Sequence, residues 1–227
     1  MRKAVYTTVV GGYDALKAPV KTTGFDHICF TDNPALTSNG WELRDLPIWN
    51  NDPNRTSRMP KLLPHKYLSE YDLSIYVDGS IRICRELGPL LDALQGTNWA
   101  AFSHCGWNTP SQELAACIDA KKDDPEIMSA QIKGYFDEGM PDKGLMANGV
   151  LIRKHKEEDV IKAGELWWEE VKSKSRRDQL SFMYVAWKTN LNYSRLPGIM
   201  TSDTFLHFFR YEGHPKVAAV ISNGISF

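Results

Sequence analysis

The stretch LSIYVDGSIRIC (73–84) places Asp78 where it could do chemistry. Ile75 and Val77 alternate ahead of Asp78-Gly79, and Ile81 and Ile83 alternate behind it. Asp-Gly between two such runs is a strong hairpin signal. In a second reading Asp78 ends a buried strand at the carboxyl edge of a sheet, where α/β folds take their ligands. One carboxylate there suits Mg²⁺, which binds through one or two carboxylates together with substrate phosphates. Position 80 is Ser, so Ser80 could add only a weak oxygen ligand. Taken alone, the stretch reads better as a hairpin.

Other residues could complete such a site. Arg55, Arg58 and Lys61 recur every third residue in NRTSRMPKLLPHK (54–66), where Pro60 and Pro64 rule out a long regular helix. Bidentate Arg and point-charge Lys suit a diphosphate; a solvated basic face is the equal alternative. Asp32 ends the run FTD, where an acid could hold a base or ribose, although Asp-Asn-Pro is foremost a turn initiator. Asn148-Gly149 interrupts an apolar run, as a β-bulge or a place of close approach does. Asp178-Gln179 opens an amphipathic stretch, where Asp serves equally as a helix-terminal residue or as a group facing a sugar. His207, His214 and Lys216 cluster late in the chain; either His could join a metal shell and Lys216 could meet a phosphate.

These residues need elements to hold them. Strands are expected at 4–10, 26–32, 41–46, 73–78, 99–104 and 146–154. Helices are expected from Thr109-Pro110, a capping sequence, over 126–137, over 156–173 with the stripe Val160, Ala163, Trp167 and Val171, and over 177–188. Early strands followed by a helix-rich half predict an α/β domain with a largely parallel central sheet and flanking helices. The weakly periodic stretch 197–227 is expected to fold back across the site. The 227 residues are read as one domain. A balance of 27 basic and 28 acidic residues gives no general attraction to nucleic acid or anionic membrane. The four cysteines, at 29, 84, 105 and 117, form no C-x-x-C pair, and reduced thiols in a cytoplasmic protein are expected. No apolar run is long enough to span a bilayer.

YTTVVGGYD, FTD, NRTSRMPKLLPHKYL, YVDGS, ANGVLIRKH and RRDQLSF occur in this order. Together they resemble a glycosyltransferase-like domain family, first catalogued as a domain of unknown function, that includes plant Golgi proteins of cell-wall and mucilage synthesis. The resemblance runs from about residue 4 to 190, and SRMPKLLPH followed by the Y-V-D-G strand is its most specific part. It implies a GT-A-type fold, distantly similar to glycogenin-like enzymes, and transfer of a sugar from a nucleoside diphosphate sugar to a carbohydrate or other hydroxyl acceptor. It further implies that the loop from Thr7 to Tyr13, with Asp32, holds the nucleoside, and that Arg55, Arg58, Lys61 and Lys216 meet phosphate. Mn²⁺ or Mg²⁺ would sit on Asp78, with His207 as a second candidate ligand. Asn148, Gly149, Asp178 and Gln179 would face donor sugar and acceptor, Asp178 serving as general base if the enzyme inverts. His104 and Glu113 in SHCGWNTPSQELAAC fit places where family members carry a His and an acidic helix residue. The single Asp leaves metal dependence open, and the late His, Gly and Lys (207, 213, 216) miss the spacing of the glycogenin-like motif. Unlike the plant members, the chain shows no anchor, and a free soluble enzyme is expected. A non-catalytic nucleotide- or sugar-binding module and, further off, a nucleotidyltransferase are the alternatives. Donor, acceptor and stereochemistry stay open.

Overall fold

The computed structural model describes residues 1–212. Its seven-stranded sheet has the order β3-β2-β1-β4-β7-β6-β8. The strands are β1 (Lys3–Val9), β2 (Asp26–Thr31), β3 (Glu42–Asp45), β4 (Leu73–Val77), β6 (Trp99–Ser103), β7 (Met146–Arg153) and β8 (Ser194–Ile199). All pairings are parallel except those of β7, which runs against both β4 and β6. The sheet is therefore mostly parallel, in a mixed α/β fold. Its central strands are covered on both faces and mostly apolar: β4 and β7 are buried throughout, with Ser74, Asn148 and Arg153 as their polar exceptions.

One face is covered by α1 (Pro53–Leu62), α5 (Glu158–Ser173) and α6 (Asp178–Thr189). They close over Tyr6, Tyr76, Trp99, Trp167 and Phe182. The remaining helices are α2 (Pro64–Tyr67), α3 (Pro110–Asp119), α4 (Pro125–Asp137) and α7 (Asp203–Phe208). The opposite face packs Val5, Ile75, Val77, Val150 and Ile152 against Phe205, Phe209 and the two-stranded ribbon of β5 (Ile81–Ile83) and β9 (Phe209–Tyr211).

That ribbon corrects the hairpin reading of Asp78-Gly79. Both edges of β4 are already taken, by β1 and β7, so no returning strand can pair with it. The chain turns at Asp78, where the Ile81 amide donates to the Asp78 carbonyl at 2.9 Å. β5 then pairs antiparallel with β9. The segment 209–211 is thus brought beside the turn that follows β4, while residues 213–227, with His214 and Lys216, lie outside the described residues.

Strand order fixes where a ligand would enter. The chain runs outward from β1 through β2 to β3, then returns to place β4 on the other side of β1. The crevice at the carboxyl ends of β1 and β4 is the switch point at which open α/β sheets take their ligands. Asp78 immediately follows β4 there.

Candidate functional site

Two helices deliver charge to this edge. In α1, Asp52 caps the first turn by accepting from the Arg55 amide, and Pro53 occupies the first helical position, where its missing N–H costs nothing. The prolines act at the far end: Pro60 is accommodated in the last turn, and Pro64 pushes Leu63 out of helical geometry. The basic segment is therefore helical up to Leu62. At 3.6 residues per turn, a three-residue repeat drifts by about 60° per step. Arg58 and Lys61 consequently share the site-facing side, whereas Arg55 is turned away. Its guanidinium donates to the carbonyls of Val171 and Lys174 at 2.9 and 2.7 Å and pairs with Asp52. Arg55 thus caps the end of α5 and is directed away from the Asp78 edge.

Asp178, the first residue of α6, meets the other two cations. Its carboxylate lies 2.7 Å from Lys61 Nζ and 3.0 Å from Arg58 Nε. Lys61 also reaches Asp78 at 3.3 Å and lies over the Tyr76 ring. The Tyr76 hydroxyl donates to the same Asp78 oxygen at 2.7 Å. The side chains of Lys61 and Asp178 are only 3% and 6% exposed, against 33% for Asp78, so Asp78 is the member of the cluster open to solvent. Burial by itself would raise the Asp178 pKa, but Lys61 and Arg58 together hold it well below the usual carboxylate range. The Arg58 guanidinium is disfavoured by burial and more than compensated by Asp178 and Asp78. Burial and then the Asp78 charge push the Tyr76 phenol well up. Asp178 is thus held in its charged form by the two cations beside it.

Asn148 and Gly149 form the third wall. β7 bulges here: Ala101 and Phe102 of β6 pair with Leu151 and Ala147, leaving 148–150 without partners on that side. The Asp78 amide donates to the Gly149 carbonyl at 2.9 Å. A Cβ on Gly149 would stand 3.1 Å from Ile81 and 3.3 Å from Asp78 Oδ2, so the bulge and the close-approach readings both hold. The Gln179 side chain accepts from the Asn148 backbone and side-chain amides and donates to the Met146 carbonyl. Asn148 Oδ1 is buried with no hydrogen-bond partner among the described residues, an unsatisfied acceptor of the kind that native folds keep rare.

The other expected site residues are more dispersed. Asp32 accepts from the Gly11 amide at 3.1 and 3.2 Å, which ties the end of β2 to the loop after β1. Thr7 is buried, its hydroxyl unpartnered among the described residues. Tyr13 is 47% exposed on the rim. Ser80 is buried, and its carbonyl accepts from the Glu212 amide. His104 Nδ1 accepts from the amides of Gly106 and Trp107, while Nε2 stands 3.7 Å from Glu113. This pair pins the loop after β6. His207 is exposed on α7, its ring edge-on to Phe208, and no contact links it with Asp78. Among the described residues no three His, Cys, Asp or Glu side chains converge as a metal site.

Sequence reading missed Asp14 and Tyr211 on the rim and the buried Tyr76 beneath it. Partial desolvation, then the charges of Asp14, Tyr13 and Asp78, raise the Tyr211 phenol pKa, so these four groups share one rim. A Cβ on Gly79 would stand 2.9 Å from the Asp14 carboxylate. Asp14 directly follows the Gly-Gly-Tyr turn that ends β1, and that position is the signal that could have found it. Tyr76 was visible as the residue two before Asp78 but reads as plain strand. Tyr211 is brought in by a long-range strand pairing that no local pattern carries.

The fold and the clustering of opposed charges at its switch point define an α/β domain of the kind that binds ligands at the carboxyl edge of its sheet. Residues 42–214 match the TOD1/MUCI70 glycosyltransferase-like domain, and the chain belongs to that family. Among solved structures, the apo form of the bifunctional glycosyltransferase WbbM is similar at a TM-score of 0.49 and 13% identity, over 85% of this chain and 38% of that one. This chain therefore spans well under half the length of that protein. No curated protein matches. No helix among the described residues is long and apolar enough to cross a membrane.

Proposed function

We propose that this protein transfers a sugar from a nucleoside diphosphate sugar to an acceptor hydroxyl at the Asp78 edge. The observation that carries the reading is the quartet Arg58, Lys61, Asp78 and Asp178 at the β1/β4 switch point, in a chain of a glycosyltransferase-like family. Arg58 and Lys61 would bear on the leaving diphosphate, stabilising the charge that develops as the glycosidic bond breaks. Asp178 holds both cations in place; its depressed pKa argues against the general-base role. Asn148, with its unpartnered oxygen, would face donor sugar hydroxyls. Tyr13 would flank the nucleoside.

The residues suit a divalent cation bound by one carboxylate and the donor's own phosphates. Asp78 Oδ1 accepts from Tyr76 and Lys61, while Oδ2 has no hydrogen bond among the described residues. Mn²⁺ or Mg²⁺ held there would supply Lewis acidity at the diphosphate. A non-catalytic binding module is the second reading, favoured by one observation: the buried carboxylate of the quartet is locked in ion pairs.

Thermal shift against a panel of nucleoside diphosphates, with and without Mn²⁺, tests the proposal. A ligand of the native state must raise Tm. A rise with one base that Asp78→Asn makes metal-independent supports the full reading. No rise with any nucleotide refutes it. Turnover of the matching sugar nucleotide separates transferase from binder.

A further inference from the structure

The cations of the quartet are only as well placed as the end of α1, and that end lacks a normal helical hydrogen bond. The Pro60 carbonyl would ordinarily accept from the amide four residues on, but residue 64 is proline and has no N–H. The bond comes from another part of the chain: the Tyr6 hydroxyl, on β1, donates to the Pro60 carbonyl at 3.0 Å. Behind Tyr6 stands Arg153, fully buried on β7, whose Nη2 donates to the Tyr6 oxygen. Among the described residues no carboxylate pairs with Arg153; its guanidinium lies over the Trp99 ring, 4.9 Å from the centroid, and its Nε and Nη1 have no hydrogen-bond partner. A second buried donor acts alongside. His155 Nε2 donates to the carbonyl of Leu68, just beyond α2, and its Nδ1 accepts from Ser74.

We infer that Tyr6, oriented by Arg153, is a positioning residue: it replaces the amide that Pro64 lacks and so fixes Lys61, the residue after Pro60, between Asp78 and Asp178. A buried unpaired guanidinium is costly. Its retention is accounted for if it keeps the Tyr6 hydroxyl aimed at Pro60. The functional weight of this role rests on the reading that Lys61 serves a diphosphate, but the placement of Lys61 can be tested without it.

The test is the rate at which Lys61 is acetylated by acetic anhydride, read by mass spectrometry against Lys174, an ion-paired lysine elsewhere in the molecule. Tyr6→Phe removes the donor. The combination Tyr6→Phe with Arg153→Met also removes the charge that Phe would leave unpaired, and so guards against simple misfolding. Pro64→Ala returns a backbone N–H to the position that needs it. Loss of a hydrogen bond of ordinary strength corresponds to about a fivefold effect. Lys61 should therefore react about fivefold faster in both Tyr6 variants, with Lys174 unchanged, and Pro64→Ala should reverse most of the increase. Equal acceleration of both lysines, an unchanged Lys61, or no recovery with Pro64→Ala would overturn the assignment. Binding of the nucleoside diphosphate found by thermal shift should weaken in parallel. If no nucleotide binds the wild type, the donor reading fails while the labelling result still decides the role of Tyr6.

Discussion

Replacing Asp178 by asparagine is the most direct perturbation of the quartet. The amide keeps the shape of the side chain and discards its charge. Lys61 and Arg58 then share only Asp78, which is the most exposed member and lies 3.3 Å from Lys61. Breaking a buried ion pair from one side costs about 3–5 kcal/mol, because the partner charge stays buried. Domains are stable by only about 5–15 kcal/mol, so Asp178→Asn should lose roughly a fifth or more of the total. With a urea slope of about 2 kcal/mol/M, the unfolding midpoint should fall by roughly 1.5–2.5 M at constant slope. Lys61→Met in the Asp178→Asn background should cost less than the sum of the two single variants, by at least about 1 kcal/mol, because the unpaired ammonium is then gone. An Asp178→Asn midpoint within 0.5 M of wild type, or strict additivity, would show that the cations do not depend on Asp178. Because the Asp178 pKa is lowered on folding, its contribution is fully present above the ordinary carboxylate pKa and is lost as pH falls below it.

Three further outcomes can be checked. Burial holds His27 and His155 neutral, each with its pKa lowered to about 4; the unfolded chain binds more protons, so stability should fall as pH drops from about 6.5 towards 4, by up to roughly 1.4 kcal/mol per pH unit for each histidine. Urea unfolding at pH 7 and pH 5 measures this, and equal midpoints would contradict it. Gly164→Ala would set a Cβ 2.5 Å from the Leu62 carbonyl, a backbone atom that cannot swing aside; it should cost about 1–3 kcal/mol and weaken nucleoside diphosphate binding by shifting α1, whereas a silent variant would show that α1 and α5 are not in fixed contact. His104→Ala removes the acceptor of two loop amides, so chymotryptic cleavage at exposed Trp107 should accelerate without change in nucleotide affinity; an unchanged cleavage rate would leave the loop pinned by something else.

The six expected strands were legible as short runs cut by turns, α3 from its capping sequence and α4, α5 and α6 from their helical spacing, whereas α1, which carries Arg58 and Lys61, was not expected because of its prolines. The reversed direction of β7 was not legible, since a short apolar run reads alike in either sense. Nor was β8, whose SRLPGI is half exposed and carries a proline and a glycine. In the site, residue types were visible and their orientation was not. Arg55, Arg58 and Lys61 looked equivalent until the helical drift separated them. Asp178 could be read as a helix-terminal residue or a base candidate, but not as the partner of two cations. Tyr6 could not have been picked out, because its task depends on a proline 58 positions further on, and only the packing of α1 over β1 brings the two together.

The borders of the sheet have a consequence for the protein at high concentration. A terminal strand offers unpaired amides and carbonyls as a template for another chain. Here β3 is four residues long and bears Glu42, Arg44 and Asp45. At the other border, β8 contains Pro197, which has no amide to offer, followed by Gly198 at a φ of +78° that bends the strand away from a flat template. Both borders are thus poor nuclei for intermolecular sheet growth, and the same proline and glycine that hid β8 from sequence reading would protect the folded protein from aggregating strand to strand.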